Sequence, residues 1–261
     1  MDILITGAFG FVGSNLSKIL RRSLNYHLIA VDIFKPDHHQ YHEYYSWNNL
    51  NKIKWDKIDL IIHLAGIAHD TKNTINEKKY YDINVGLTKK VFDHYICSNA
   101  DKFIFFSSVK AVADSVNEKV LTEEDVPVPQ TPYGRSKLEA EKYILGHYHN
   151  NTKIIYILRP CMIHGPENKG NLNLLYQFVK KGIPWPLGAF ENQRSFTSID
   201  NLTFVIQRIL EKEIKPGVYN MADDEPLSTN KLIELMSKSI GKKQKYGICH
   251  LRYAKSLCHN W

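Results

Sequence analysis

A chain of 261 residues, 43% hydrophobic and 23% charged, is long enough for one large α/β domain with a small lobe, and its balance excludes a disordered or membrane-embedded protein. No apolar run reaches the roughly 18–20 residues that span a bilayer. The start, Met1 to Gly7, enters a strand and a glycine turn directly, without the basic start and longer apolar stretch of a secretory leader, so a cytoplasmic protein is expected. The net charge of +7 is scattered among acids, with only short clusters such as Lys242-Lys243-Gln244-Lys245. That pattern argues against nucleic acid as a partner and for attraction of an anionic small molecule.

In chain order, residues 2–6 read as a strand. Residues 11–23 read as a helix with Val12, Leu16, Ile19 and Leu20 on one face. A second strand, about 26–32, ends at Asp32, and the polar, aromatic stretch from Asp37 to Trp47 reads as a loop. Strands at 58–64, 102–108 and 153–159 alternate with helices at about 77–98 and 133–149, and Pro160 stops the last strand. This alternation predicts an α/β fold, a doubly wound parallel sheet with helices on both faces. Beyond Pro160, glycines and prolines multiply around helical patches at about 171–182, 200–213 and 228–241. The expected division is a dinucleotide-binding domain at 1–160 and a smaller C-terminal substrate lobe at 161–261, parts of which pack back on the first domain.

Gly7, Gly10 and Gly13 form G-x-x-G-x-x-G between the first strand and the first helix. Glycines there permit a tight turn and bring backbone N–H groups close to a pyrophosphate, which the helix N-terminus also attracts. Phe11 and Val12 lie inside the motif. Asp32, followed by Ile33, stands 19 residues after Gly13, where an acid accepts ribose hydroxyls and repels a 2′-phosphate. NAD is therefore expected over NADP, with Lys35 softening the preference. Leu64, Ala65 and Gly66 end the third strand and let the backbone pass close to the dinucleotide.

Tyr133 and Lys137, four apart, share a helix face. A free tyrosine titrates near 10, roughly three units too high for a base at neutral pH. A neighbouring ammonium is expected to lower that value and make Tyr133 a general base for a sugar hydroxyl. Tyr176 and Lys180 match the same spacing but lack the context of a preceding strand ending in Ser107-Ser108. The Ser108 hydroxyl is placed to bond both Tyr133 and the reacting hydroxyl. No metal site is expected: the spacing of Asp37, His38, His39, His42 and Glu43 matches no zinc pattern. The four cysteines have no C-x-x-C spacing and read as reduced thiols.

Taken together, the glycine triplet, Asp32, His63-Leu64-Ala65-Gly66, Asn84-Val85, Ser107-Ser108 and Tyr133-Gly134-Arg135-Ser136-Lys137 resemble the extended short-chain dehydrogenase/reductase superfamily, the NAD-dependent sugar-nucleotide epimerases and dehydratases. The resemblance runs from Gly7 to about Gly241. It implies a Rossmann domain that holds NAD, with Tyr133 as acid/base, Lys137 holding the ribose, Ser108 assisting, and Asn84 lining the cofactor groove. It implies that Asn171, Leu172 and Arg194 hold the diphosphate and base of a UDP-sugar, and that a homodimer forms through the helices at about 77–98 and 133–149. Val109 and Lys110 follow Ser108 where 4,6-dehydratases carry an Asp-Glu pair, which argues against dehydration. The closest likeness is to bacterial surface-polysaccharide enzymes, UDP-glucose 4-epimerase-like enzymes first and UDP-4-keto-6-deoxy-sugar 4-reductases second. A non-catalytic dinucleotide sensor on the same fold is the alternative of another class. The tail beyond Gly241 departs from the pattern and ends early, which implies a shortened or altered lobe.

Overall fold

The computed structural model describes residues 1–68, 76–116, 120–148, 153–168, 170–186, 188 and 192–243. Its first half alternates as expected: β1 (Asp2–Thr6), α1 (Phe11–Leu20), β2 (His27–Asp32), β3 (Glu43–Ser46) and β4 (Leu60–His63). Then come α2 (Glu77–Tyr80), a π-turn at Tyr81–Val85, α3 (Gly86–Cys97), β5 (Lys102–Phe106), α4 (Pro132–Gly146) and β6 (Ile154–Pro160). The remainder comprises β7 (Met162–His164), α5 (Asn171–Lys180), β8 (Phe196–Ser198), α6 (Ile199–Glu211), β9 (Gly217–Met221) and α7 (Thr229–Ser239).

Seven strands form one parallel sheet in the order β3-β2-β1-β4-β5-β6-β9. Strands buried on both faces read as unbroken apolar runs, which is why Ile3-Leu4-Ile5 and Leu60-Ile61-Ile62 are almost fully buried. Phe92, Tyr95, Phe103, Phe105 and Ile157 fill a large core cluster with residues of β1, β2 and β4. The strand order reverses between β1 and β4, so a crevice opens at their carboxyl ends, the place where open α/β sheets bind ligands. The residues after β1, β2 and β4 are the glycine turn, Ile33 and Leu64-Ala65-Gly66.

Two compact units divide the chain. The first comprises Met1–Cys161 and Ile199–Met221, and the second comprises Met162–Ser198 with the described residues from Ala222 onward. Within the first, α6 packs on α1 and β9 pairs in parallel with β6, Pro160 lying opposite Met221. Within the second, β7 pairs with β8, and α5 meets α7 around Leu175, Val179, Trp185 and Ile233.

Several expected boundaries shift. The stretch Asp37 to Trp47 is not all loop, because Glu43-Tyr44-Tyr45-Ser46 forms the parallel edge strand β3 beside β2. An edge strand with half-exposed side chains needs neither an apolar run nor strict alternation. The helix expected at 77–98 is interrupted by the π-turn, which sinks Asn84 completely into the protein. Strand β5 ends at Phe106, so Ser107 and Ser108 lie just past it. No described helix is long and apolar enough to cross a membrane.

Candidate active site

The glycine turn is tight for reasons the neighbouring backbone makes plain. Gly7 has φ +65°, and a Cβ there would lie 2.8 Å from the Ala65 nitrogen. A Cβ on Gly13 would lie 2.5 Å from the Ala8 carbonyl oxygen, so α1 can pack this closely on the turn only with glycine at that position. Gly10 caps α1 without a side-chain hydrogen bond, and the first turn, which includes Phe11 and Val12, carries no acid. The first turn thus supplies neither a capping side chain nor an acid to the helix N-terminus, an arrangement suited to a bound anion.

Asp32 sits at the end of β2, and its carboxylate accepts the Phe9 N–H at 2.8 Å and the Ile33 N–H at 2.7 Å. Each carboxylate oxygen has further acceptor capacity for a ribose hydroxyl. The Ile33 side chain is exposed, and its backbone is what fixes the acid. Uncapped helix, glycine cradle and strand-end acid together fit a dinucleotide with an unphosphorylated ribose.

Beneath the Leu64-Ala65-Gly66 segment lies a buried polar chain. The Ala65 N–H donates to Thr6 Oγ1 at 3.2 Å, and Thr6 Oγ1 meets His63 Nδ1 at 2.6 Å. His63 Nε2 meets Thr88 Oγ1 at 3.0 Å, and the Thr88 hydroxyl donates its proton to the Asn84 carbonyl at 2.6 Å. Because Thr88 has spent its only proton, His63 must donate through Nε2, and its Nδ1 must accept from Thr6. Burial, assisted by the Lys137 charge, pushes the imidazole down to about 3, so the ring is neutral and the chain has one direction.

Asn84 differs from its expected role. Its amide is occupied by protein, accepting from the Ile67 N–H at 2.8 Å and donating to the Ile67 carbonyl at 3.1 Å and Ser136 Oγ at 2.9 Å. It is wholly buried, so it fastens the Gly66-Ile67 backbone to α4 instead of lining a groove. A Cβ on Gly66 would come 2.9 Å from Asn84 Oδ1 and 3.2 Å from Lys137 Nζ, so this glycine keeps open the place above the lysine.

Helix α4 delivers Tyr133 and Lys137 from a fixed start. Thr131 caps it by accepting the Gly134 N–H, Pro132 occupies its first turn, and Asp114 accepts the Gln130 and Thr131 N–H groups and the Thr131 hydroxyl. Gly134 lies so near the turn after Ser108 that a Cβ would meet the Lys110 carbonyl oxygen at 2.3 Å. This contact seats Tyr133 beside Ser108, and the two side chains share a hydrogen bond. Ser108 Oγ also accepts the Lys110 N–H at 3.2 Å.

The electrostatics correct one expectation. Burial pushes the Tyr133 phenol above its ordinary value, the Ser108 hydrogen bond pulls it down, and Tyr80, whose ring lies 6.2 Å away edge-on, pushes it up. Lys137 is not among these influences. Its ammonium donates to the Phe106 carbonyl at 2.8 Å and lies over the Phe105 ring, and burial lowers it to about 8, with Glu141 pulling the other way. Glu141 is itself held by a buried two-point pair with Arg159, at 3.0 and 2.6 Å, which joins α4 to β6. In the protein alone, then, Tyr133 is a protonated acid hydrogen-bonded to Ser108.

The remaining expected residues lie in the second unit. Asn171 opens α5, and its side chain lies outside the described residues; Leu172 follows it, partly buried. The Arg194 backbone exchanges two hydrogen bonds with Leu227, and among the described residues no acid pairs with its guanidinium. Sequence reading missed Thr6, Thr88, Ser136 and Tyr80. Only Ser136 carried a signal, its place inside the Tyr133–Lys137 segment.

These arrangements have counterparts in known proteins. Over 251 residues the chain is 28% identical to the UDP-glucose 4-epimerase of Vibrio cholerae, spanning 92% of this chain and 76% of that protein. It is equally identical, over 93% of its own length and 73% of the relative's, to the N-acetyl-alpha-D-glucosaminyl-diphospho-ditrans,octacis-undecaprenol 4-epimerase of Escherichia coli O157:H7. The crystal structure of a UDP-glucuronic acid 4-epimerase mutant from Bacillus cereus, in complex with UDP-4-deoxy-4-fluoro-glucuronic acid and NAD, superposes with a TM-score of 0.80 at 26% identity, covering 95% of this chain and 86% of that one. Residues 3–222, which hold the glycine turn, Asp32, Ser108, Tyr133 and Lys137, match one family throughout, and the chain belongs to it: the NAD dependent epimerase/dehydratase family.

Proposed function

We propose that this protein is an NAD-dependent UDP-sugar 4-epimerase that inverts C4 of the sugar. The observation that carries the reading is the Ser108–Tyr133 hydrogen bond at the start of the helix that also carries Lys137, whose ammonium lies below the open position at Gly66, in a unit whose glycine turn and Asp32 suit NAD. Bound NAD supplies a reversible hydride acceptor for C4. Tyr133 takes the C4 hydroxyl proton and later returns it, and Ser108 bonds both the phenol and the reacting oxygen. Lys137 holds the cofactor ribose. The positive charge that an oxidised nicotinamide would bring to the site would supply the lowering of the Tyr133 phenol that Lys137 does not. Val109 and Lys110 stand where a dehydratase has its acid pair, so hydride exchange proceeds without loss of water.

Asn171, Leu172 and Arg194 are assigned to the nucleotide diphosphate and base. An arginine fork that pairs with no carboxylate among the described residues suits phosphate oxygens. Arg194→Met should raise KM for the UDP-sugar about 100-fold, the scale of a lost charge-assisted contact, while the amount of bound NAD stays constant. An unchanged KM would remove Arg194 from the substrate site. We also propose a cytoplasmic homodimer formed through α3 and α4, which expose Ile96 and Leu145; the exposed free thiol of Cys97 suits a reducing compartment. Sedimentation at the mass of a single chain would refute the dimer.

The deciding experiment follows C4 inversion of UDP-hexoses and UDP-N-acetylhexosamines by NMR. Inversion without added cofactor establishes the epimerase. Turnover of only a 4-keto sugar, and only with added NADH or NADPH, would make the protein a reductase instead.

A further inference from the structure

The segment between β2 and β3 is rich in histidine and aromatic residues, and beyond Ile33 nothing in the proposed chemistry uses it. Tyr41 in its middle is 6% exposed. Its hydroxyl lies 3.0 Å from the Ala8 carbonyl oxygen and 3.0 Å from the Gly13 carbonyl oxygen, and donates between them. Both acceptors belong to the glycine turn, one just after Gly7 and the other in the first turn of α1. The Ala8 carbonyl is one side of a planar trans peptide whose other side is the Phe9 N–H. That N–H donates to Asp32 Oδ2 at 2.8 Å. Fixing the carbonyl on one side therefore aims the N–H on the other, and with it the Asp32 carboxylate.

The Phe9 side chain is gripped by the same segment and by β3. Its ring meets Tyr41 edge-on at 5.4 Å and lies against Phe34, His39 and Tyr44 at 5.6–6.1 Å. One residue of the glycine turn is thus located by its ring, and its peptide plane by Tyr41 and Asp32. Burial pushes the Tyr41 phenol far upward, so it remains a neutral donor throughout the range in which the protein works.

We propose that Tyr41 is a positioning residue for the dinucleotide: its hydroxyl clamps the Ala8–Phe9 peptide and the first turn of α1 in the geometry that receives the pyrophosphate and aims Asp32 at the adenosine ribose. The proposal rests on the NAD-binding reading of the glycine turn, and it gives the β2–β3 segment a purpose in that site.

The test compares two tyrosines of the same chemistry. Tyr95 also buries its hydroxyl between two backbone carbonyls, Asp101 at 3.0 Å and Ile154 at 3.2 Å, but it lies on the core face of α3, outside the glycine turn. Tyr41→Phe should weaken NAD binding roughly tenfold, the scale of one hydrogen bond, measured calorimetrically and as NAD retained through purification. Tyr95→Phe should cost a similar fall in Tm with no change in NAD affinity. Equal NAD affinity in Tyr41→Phe and wild type, or the same loss in Tyr95→Phe, would reduce Tyr41 to a structural residue. A wild type that binds no NAD overturns the cofactor reading itself. Amide exchange in the unsubstituted protein gives a check that needs no variant to fold: without NAD, the Phe9 N–H should be as protected as the amides of β1, and free exchange there would overturn the clamp.

Discussion

Tyr133→Phe should lower turnover about 10³-fold, the middle of the range for losing a general acid–base group, and should leave NAD binding unchanged. The substitution removes one oxygen and keeps the ring packed edge-on to Tyr80. What is lost is the phenol that takes and returns the sugar proton; Lys137 cannot replace it, because its ammonium faces the Phe106 carbonyl, and the Ser108 hydroxyl is too weak an acid to do so at the same rate. The glycine turn and Asp32 are untouched, so cofactor stoichiometry should stay at the wild-type value. Turnover and NAD content measured on the same preparation decide it. A fall in both would mean a folding or binding role, and turnover within tenfold of wild type would place the base elsewhere. A dinucleotide sensor would show no dependence on the hydroxyl at all.

The second large effect is on acid stability. Folded His63 stays neutral down to about pH 3, whereas an unfolded histidine takes a proton below about 6.5. Between those values the unfolded chain binds one more proton than the folded one, so stability falls as pH falls through this window and levels off below it. At pH 4.5 the linkage amounts to roughly 2–3 kcal/mol relative to pH 7. His63→Gln should be less stable than wild type at pH 7, because one amide cannot reproduce both bonds to Thr6 and Thr88. Its further loss between pH 7 and 4.5 should nevertheless be smaller by about that amount. Urea unfolding at the two pH values reads both numbers, and parallel losses would mean that His63 titrates normally.

Much of this was legible in the amino-acid order because the features concerned admit few residue types. Strands buried on both faces show as apolar runs, a dinucleotide turn needs glycines where backbone atoms stand under 3 Å from a would-be Cβ, and a proton-transfer pair needs Tyr and Lys one helical turn apart. What stayed hidden depends on contacts across long sequence separations. Tyr41 reaches carbonyls 33 and 28 residues away, and a carbonyl is the same at every residue. The spacing of Tyr80, Asn84 and Thr88 puts Asn84 on the buried face, but nothing in the order of residues shows that its amide is spent on Ile67 and Ser136, whose positions are set by other elements. The spacing of Tyr133 and Lys137 placed both on one face but could not show where the ammonium points, and the expected lowering of the phenol by that lysine failed for this reason.

The path of the chain through its two units also sets an order on synthesis. The main sheet is not complete at Cys161; its last strand ends at Met221, after the chain has left for the second unit and returned. At ribosomal speeds those sixty residues take on the order of 3–12 s to emerge. During that interval β6, buried along nearly all its length in the finished protein, has one unpaired edge, and α1 lacks its cover from α6. When β9 arrives it replaces this apolar edge with a half-buried one containing Gly217, Tyr219 and Asn220. The nascent protein is therefore most open to aggregation just before Met221 is added, and a fragment ending at residue 160 would remain in that state permanently.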